Sequence, residues 1–191
     1  KLVREKLLPD KHVIGFAGSP WTVATYAIEG RSKTDFATSK FMALSNSRTL
    51  DELIDIITEQ TIIYLSAQID AGATIIQLFD SWAGILQDRE YHKYVIEPTM
   101  TIVDAVKEKY PHIPIIAFPK GSGYYYEDYL KFINFDILGV DHNIPTLCLN
   151  NWQRSKIIQG NLDPSILLLS DQEVIKEKID CIFKQIDINK F

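Results

Sequence analysis

The chain has 191 residues, 46% of them hydrophobic and 24% charged, a balance that supports a sizeable buried core and excludes a disordered or low-complexity polymer. A formal net charge of -5 speaks against partnership with nucleic acid or an anionic membrane surface, both of which select basic faces. No apolar run is long enough to span a bilayer, and Cys148 and Cys181, with no CxxC spacing, lead us to expect a reducing, cytoplasmic setting.

Taken in chain order, the first apolar run with β-branched character covers residues 12–16. It leads into "GFAGSPWTVATYAIEG", residues 15–30, where Ser19-Pro20 marks the start of a helix and two glycines and a tryptophan imply a loop shaped closely around something. A long helix follows, its apolar stripe read from Leu53, Ile56, Ile57, Gln60, Ile63, Tyr64, Ala67 and Ala71 at spacings of three and four. Thr49 with Glu52 fits a capping box at its start, and Gly72 supplies a left-handed terminus.

Further strands are expected over 74–79, 113–118, 135–140 and 156–159, each followed by turn residues and a helical pattern. Asp163-Pro164 reads as a capped helix start, and Ser170 with Glu173 as a second capping box. Strands that alternate with helices imply a parallel sheet in a single α/β domain spanning 1–191, because parallel neighbours need a crossover connection. Five strands suit an open doubly wound sheet or a truncated barrel, since a closed (β/α)8 barrel needs eight strands. The start at Lys1, without an initiator methionine, and the polar end "IDINKF" favour truncation, the chain being read as a piece of a longer protein.

Three stretches carry candidate chemistry. In "QLFDSWAGIL" the strand alternation places Phe79 and Ser81 on one face and Asp80 on the other. An aromatic plate beside a hydroxyl can hold a flat ligand with polar edges, and equally describes a core phenylalanine and a turn hydroxyl. In "FPKGSGYYY", Lys120 with Gly121 and Gly123 lacks the Walker and dinucleotide patterns and reads as a tight turn, with Tyr124, Tyr125 and Tyr126 shared between packing and exposure. Asp141-His142 is the one adjacent acid and imidazole at a strand end, but neighbours in sequence diverge in direction. His12, His92, His112 and His142 show no metal-ligand spacing, so no metal is expected.

Together "GFAGSPWTVATYAIEG", "QLFDSWAGIL", "FPKGSG" and "QGNLDP" resemble the uroporphyrinogen decarboxylase family, in that family's order and approximate spacing, over roughly residues 13–168. The resemblance implies a (β/α)8 TIM barrel, here incomplete at about five β/α units. It also implies a homodimer and decarboxylation, without any cofactor, of the four acetate side chains of the tetrapyrrole uroporphyrinogen III to give coproporphyrinogen III in haem biosynthesis. By the same resemblance Phe16 and Phe79 line the walls around the macrocycle, Tyr26 reaches the substrate and Ser81 contacts a substrate carboxylate.

The family's arginine-rich loop and the aspartate that faces the pyrrole nitrogens fall before Lys1 in this alignment of motifs, and a substrate-contacting histidine falls beyond Phe191. No catalytic residue is therefore assigned within the chain, and Asp80 and Asp141 are not promoted in its place. "RSK" at Arg31 is one small residue shorter than in many bacterial members, and His142 stands where tryptophan is frequent. With five strands, residues such as Ile75, Ile116 and Ile137 are expected to lose partners. Two rivals stay open: a corrinoid-dependent methyltransferase-type barrel, for which "FPKGSG" supplies no soft zinc ligand, and an inactive gene fragment.

Overall fold

The computed structural model describes residues 1–30 and 35–191, so Arg31 lies outside the described residues. These form two compact units, Lys1–Phe135 and Asp136–Phe191. In the first, α1 (Leu2–Lys6) precedes β1 (Ile14–Gly18), followed by α2 (Pro20–Glu29), α3 (Ala37–Leu44), α4 (Arg48–Asp70) and β2 (Ile75–Asp80). Then α5 (Asp88–Tyr91) runs through a π turn (His92–Ile96) into α6 (Glu97–Lys109), and β3 (Ile115–Pro119) leads to α7 (Tyr126–Phe132).

β1, β2 and β3 are parallel neighbours, with Gly18 opposite Phe79 and Phe79 opposite Phe118. The strands expected over 12–16, 74–79 and 113–118 are all present, each shifted one or two residues toward the C-terminus. At β1 the cause is Thr74, whose Oγ1 accepts the Val13 amide at 3.2 Å and takes the place of the first rung of the ladder. One face of the three strands is packed with Ala17, Ile76, Leu78, Ile115 and Ala117, all buried, and the helices contribute Trp21, Leu50, Leu65, Tyr94, Ile102 and Val103 to the core. Trp21 and Tyr94 stack at 6.0 Å between α2 and the π turn.

Two expectations about α4 are corrected. The buried stripe is Leu50, Ile54, Thr58, Thr61 and Leu65, whereas Ile56, Ile63 and Tyr64 are 57%, 60% and 58% exposed. Apolar residue type misleads here because the packed face holds two threonines. Thr58 hides its polarity by donating its hydroxyl to the Ile54 carbonyl at 2.7 Å. The helix also starts at Arg48 after Ser47, not at a Thr49 cap, and Glu52 instead accepts from Arg48 Nε at 2.8 Å. Ile116, expected to lose partners, is buried, opposite the equally buried Gln77.

The second unit contains β4 (Ile137–Gly139), α8 (Thr146–Trp152), β5 (Ile157–Gln159), a 3-10 turn (Pro164–Leu168) and α9 (Gln172–Phe183). β4 and β5 are parallel, with Leu138 opposite Ile158 inside a core that includes Leu149 and Trp152. Gly160 turns with φ 100°, and a Cβ there would sit 2.5 Å from the Val140 carbonyl oxygen, so "QGN" needs its glycine for both dihedral and space. Asp163 caps the 3-10 turn through the Ser165 amide, as its pairing with proline implies. The last helix is capped by Asp171, which accepts the Glu173 amide at 3.0 Å, and not by Ser170. A carboxylate two residues upstream is a stronger acceptor for that amide than a serine hydroxyl.

The outer edge of β1 is partly closed by a side chain. Gln68 of α4 accepts the Phe16 amide on Oε1 at 2.8 Å and donates Nε2 to the Phe16 carbonyl at 3.0 Å, so one amide imitates one rung of a neighbouring strand. Gln68→Ala removes both bonds at a solvent-accessible site, where water replaces them. We expect a loss of about 1 kcal/mol in urea unfolding, with concentration-dependent light scattering that the parent chain lacks at equal concentration. Unaltered scattering and unfolding would show that Gln68 does not guard the edge.

Candidate active site

The parallel register brings the C-terminal ends of β1, β2 and β3 level, and the aromatic side chains there meet. Phe16 and Phe79 pack edge to face at 5.9 Å, and Phe79 and Phe118 at 6.2 Å. The result is a row of three rings on the face opposite the helices, with Phe16 60% exposed at its outer end. Phe16 and Phe79 are thus brought together as the sequence implies, and Phe118 joins them. Phe118 was legible in principle, since "LFD" and "AFP" close consecutive strands with phenylalanine at matching positions.

Tyr26 and Ser81 lie on a second cluster beside the row. Tyr26, on the last turn of α2 and 44% exposed, packs edge-on against Trp82 at 6.4 Å, and Phe36 tilts against the same indole at 4.5 Å. Ser81 is half-buried between the last residue of β2 and Trp82. Of the predicted positions, then, Phe16 and Phe79 touch each other, whereas Tyr26 packs on Trp82, which is not among them and which follows Ser81 directly.

The first turn of α2 is fastened to that segment from below. The Ser19 amide donates to the Phe79 carbonyl at 2.9 Å, and Trp21 Nε1 donates to the Trp82 carbonyl at 3.1 Å. Thr22 Oγ1 donates to Asp80 Oδ1 at 2.6 Å and accepts the Trp82 amide at 3.1 Å. Asp80 is 1% exposed on the helix-packed face, which agrees with its expected direction away from Phe79. Its Oδ2 has no hydrogen-bond partner among the described residues. Burial pushes the Asp80 carboxyl up to about 7, against the smaller downward pull of Thr22 and the Trp82 amide.

The loop after β3 forms the neighbouring rim. Gly121 and Gly123 both have positive φ, and "FPKGSG" is a turn, as read. Gly84, after β2, comes so near the Gly121 carbonyl that a Cβ would lie 2.1 Å from its oxygen, and the Gly84 amide donates to the Lys120 carbonyl at 3.2 Å. Tyr91 donates its hydroxyl to buried Ser122 at 2.8 Å and stacks on Tyr125 at 4.5 Å, while Tyr126 is buried and Tyr124 is exposed. In the second unit Asp141 is buried, accepting the Asn143 amide at 3.1 Å, and His142 is exposed. The four histidines and two cysteines form no cluster of three potential metal ligands with the acids among the described residues.

The family described as uroporphyrinogen decarboxylase (URO-D) matches residues 1–191. The chain belongs to the uroporphyrinogen decarboxylase family. It is 47% identical over 191 residues to a uroporphyrinogen decarboxylase of Rickettsia bellii, covering 100% of this chain and 56% of that protein. The Rickettsia akari protein of the same name is 46% identical over the same 191 residues, and the Rickettsia felis one 48% identical over 178 residues. The chain spans about half the length of these curated relatives. The family's fold is a TIM barrel, of which the alternating helices and parallel strands seen here are β/α units.

Within this family framework the signature from 15–30 divides into scaffold and surface. Trp21, Thr22 and Glu29 are buried, and Glu29 Oε1 accepts from both the amide and the hydroxyl of Ser39 at 2.8 and 2.9 Å, fixing the start of α3. Phe16 and Tyr26 are the aromatic side chains it leaves open, with Val23 also exposed. Trp82 was missed because its role depends on contacts with α2 and Phe36 that no spacing reveals.

The raised Asp80 carboxyl makes stability depend on pH. The unfolded carboxyl ionises near 3.8 and the folded one near 7, so the unfolded state sheds its proton first and stability falls as pH rises through that window. The full advantage of the protonated form is present below 3.8 and is gone above about 7. The loss is on the order of 4 kcal/mol. Asp80→Asn, which cannot ionise, should flatten the urea-midpoint profile between pH 4 and 7, and an Asn variant that retains the parent slope would place the titration elsewhere.

Proposed function

We propose that the full-length protein carrying this chain decarboxylates uroporphyrinogen III to coproporphyrinogen III, without a cofactor, as a cytoplasmic homodimer. The observation that carries this reading is the family match over every residue of the chain, joined to the exposure of Phe16 and Tyr26, two of the residues the family resemblance assigns to substrate. No helix among the described residues is long and apolar enough to cross a membrane.

The chemistry explains the composition of the rim. Each acetate loses CO2 by breaking the bond between its methylene and carboxylate carbons, and the electron pair must go somewhere. Protonation of the pyrrole ring provides a cationic sink; a proton then lands on the methylene carbon and the ring gives its own proton back. The net change is one proton taken up and one CO2 released for each methyl formed. A carboxylate facing the ring nitrogens stabilises that cation, and an apolar, preorganised wall favours the reaction by keeping water from screening the attraction between the two. In this reading Phe16, Phe79 and Phe118 supply that wall, Tyr26 donates toward the substrate from α2, and Ser81 holds a carboxylate. The groups that neutralise the other carboxylates and face the pyrrole nitrogens come, by the resemblance, from family segments outside these 191 residues.

Anaerobic incubation of the full-length protein with uroporphyrinogen III, followed by oxidation and chromatography by carboxyl number, tests the activity directly. The expected product has four carboxyl groups instead of eight, formed without added metal or flavin; turnover lost on chelation and restored by one metal would overturn the cofactor-free reading. In the same protein Tyr26→Phe and Ser81→Ala should each lower kcat/KM by about 10- to 150-fold, the worth of one hydrogen bond to a charged group, with unchanged circular dichroism. Parent-like kinetics in both would remove them from the site. Purified Lys1–Phe191 alone should form no product above an enzyme-free control, because the resemblance assigns the ring-facing carboxylate elsewhere.

A further inference from the structure

Ser81 sits between two residues that bond to the same hydroxyl. Thr22 Oγ1 donates to the side chain of Asp80 and accepts the amide of Trp82, so one atom on α2 grips the chain on both sides of Ser81. Tyr26 stands four residues after Thr22, one turn further along the same side of α2, and rests on the indole of Trp82. The relative placement of Tyr26 and Ser81 is thus defined through Thr22. Trp21 and Ser19 add bonds to Trp82 and Phe79, which leaves α2 little freedom to slide along the end of β2.

A carboxyl at position 80 is an expensive way to hold this junction. It is 1% exposed, one of its oxygens is without a partner among the described residues, and no cation is bonded to it in the contacts of the 79–82 segment. A buried acid of this kind is weak as a source of stability, and an aliphatic residue of similar volume would pack at lower cost. What an aliphatic residue cannot do is accept the Thr22 hydrogen. That acceptance aims the hydroxyl oxygen's lone pairs at the Trp82 amide, and the two bonds become one directional clamp.

We propose that Thr22 and Asp80 are positioning residues of the decarboxylase cleft, a buried clamp that sets the distance and angle between Tyr26 on α2 and Ser81 at the end of β2. Neither touches substrate in this assignment, which rests on the function proposed above.

The test uses Thr22→Val, which keeps shape and removes both bonds, and Thr22→Ser, which restores the hydroxyl, in the full-length protein. Per folded molecule, Thr22→Val should lower kcat/KM by about tenfold or more, and Thr22→Ser should bring it back to within about threefold of the parent. In the Thr22→Val background, Ser81→Ala and Tyr26→Phe should cost much less than they do alone, because the groups they remove are already misplaced. A role in stability alone predicts the opposite: a lower midpoint of unfolding, unchanged kinetics for the folded fraction and additive double variants. That result would overturn the clamp. A second arm needs no turnover. Hydrogen exchange should quicken at the Ser81 and Trp82 amides in Thr22→Val while α4 keeps its protection, and unchanged exchange there would also overturn it. If the unsubstituted protein itself fails to turn over uroporphyrinogen, the functional reading falls and the exchange arm decides the clamp independently.

Discussion

The register of β1, β2 and β3 is the constraint on which the remaining features of the first unit depend. Parallel pairing sets Gly18, Phe79 and Phe118 side by side, and the side-chain period of two then fixes what each face of the sheet receives. A slip of β2 by a single residue would turn Asp80 into the aromatic row and bury Phe79 against α2. Gly18, opposite Phe79, lies against Val23 of α2, whose Cγ2 would be 2.9 Å from a Cβ there, and the Phe16 ring packs on Phe79 diagonally across the strand pair. The same alignment puts the Phe79 carbonyl where the Ser19 amide can bond to it, so the start of α2 is a consequence of how the strands pair.

Much of this architecture was legible in the residues. The β/α alternation follows from β-branched runs separated by capped helical patterns, and the turn character of "FPKGSG" and "QGNLDP" from glycines that have positive φ in the folded chain. What the residues could not convey is competition between equivalent local choices. α4 has apolar residues on two sides, and only contact with α2 and α6 selects the side with Thr58 and Thr61. Ser47, Thr49, Ser170 and Asp171 are all competent caps. The choice among them depends on where the chain arrives, as when Glu52 is engaged by Arg48. Of the site residues named from the motifs, Phe16 and Phe79 lie on strands, Ser81 directly follows β2 and Tyr26 lies on α2. Trp82 and Phe118 gain significance from partners 56 and 39 residues away in sequence, Tyr26 and Phe79.

The family signature looks different once its burial is known. Most of "GFAGSPWTVATYAIEG" faces inward: Gly15 is crowded by the Gln68 amide and Ile76, Trp21 fills the core, and Glu29 holds α3. Such a stretch is specific because many separate contacts must be met at once within sixteen consecutive positions, 15–30, and only two aromatic side chains, Phe16 and Tyr26, remain available to meet a ligand. Sequence specificity of this kind reports the precision of a scaffold more than the identity of the reacting groups.

The π turn at His92–Ile96 ends where Pro98 begins to shape α6. Proline has no amide hydrogen to offer the Tyr94 carbonyl, and its ring crowds that oxygen, so the helix widens by one residue and then resumes its ordinary pitch. In a regular helix each residue turns the chain by about 100°, so the extra residue acts as a phase shift between the two halves. It allows Tyr91 to point toward Ser122 while Tyr94, Val95 and Ile96 stay buried and Tyr94 reaches Asp51 at 2.9 Å. Removing one residue here would leave both halves helical yet out of step, rotating Ile102, Val103 and Val106 out of the core they fill. Insertion and loss of single residues, ordinarily confined to loops in the history of a protein, would therefore be recorded in this helix as a change of core.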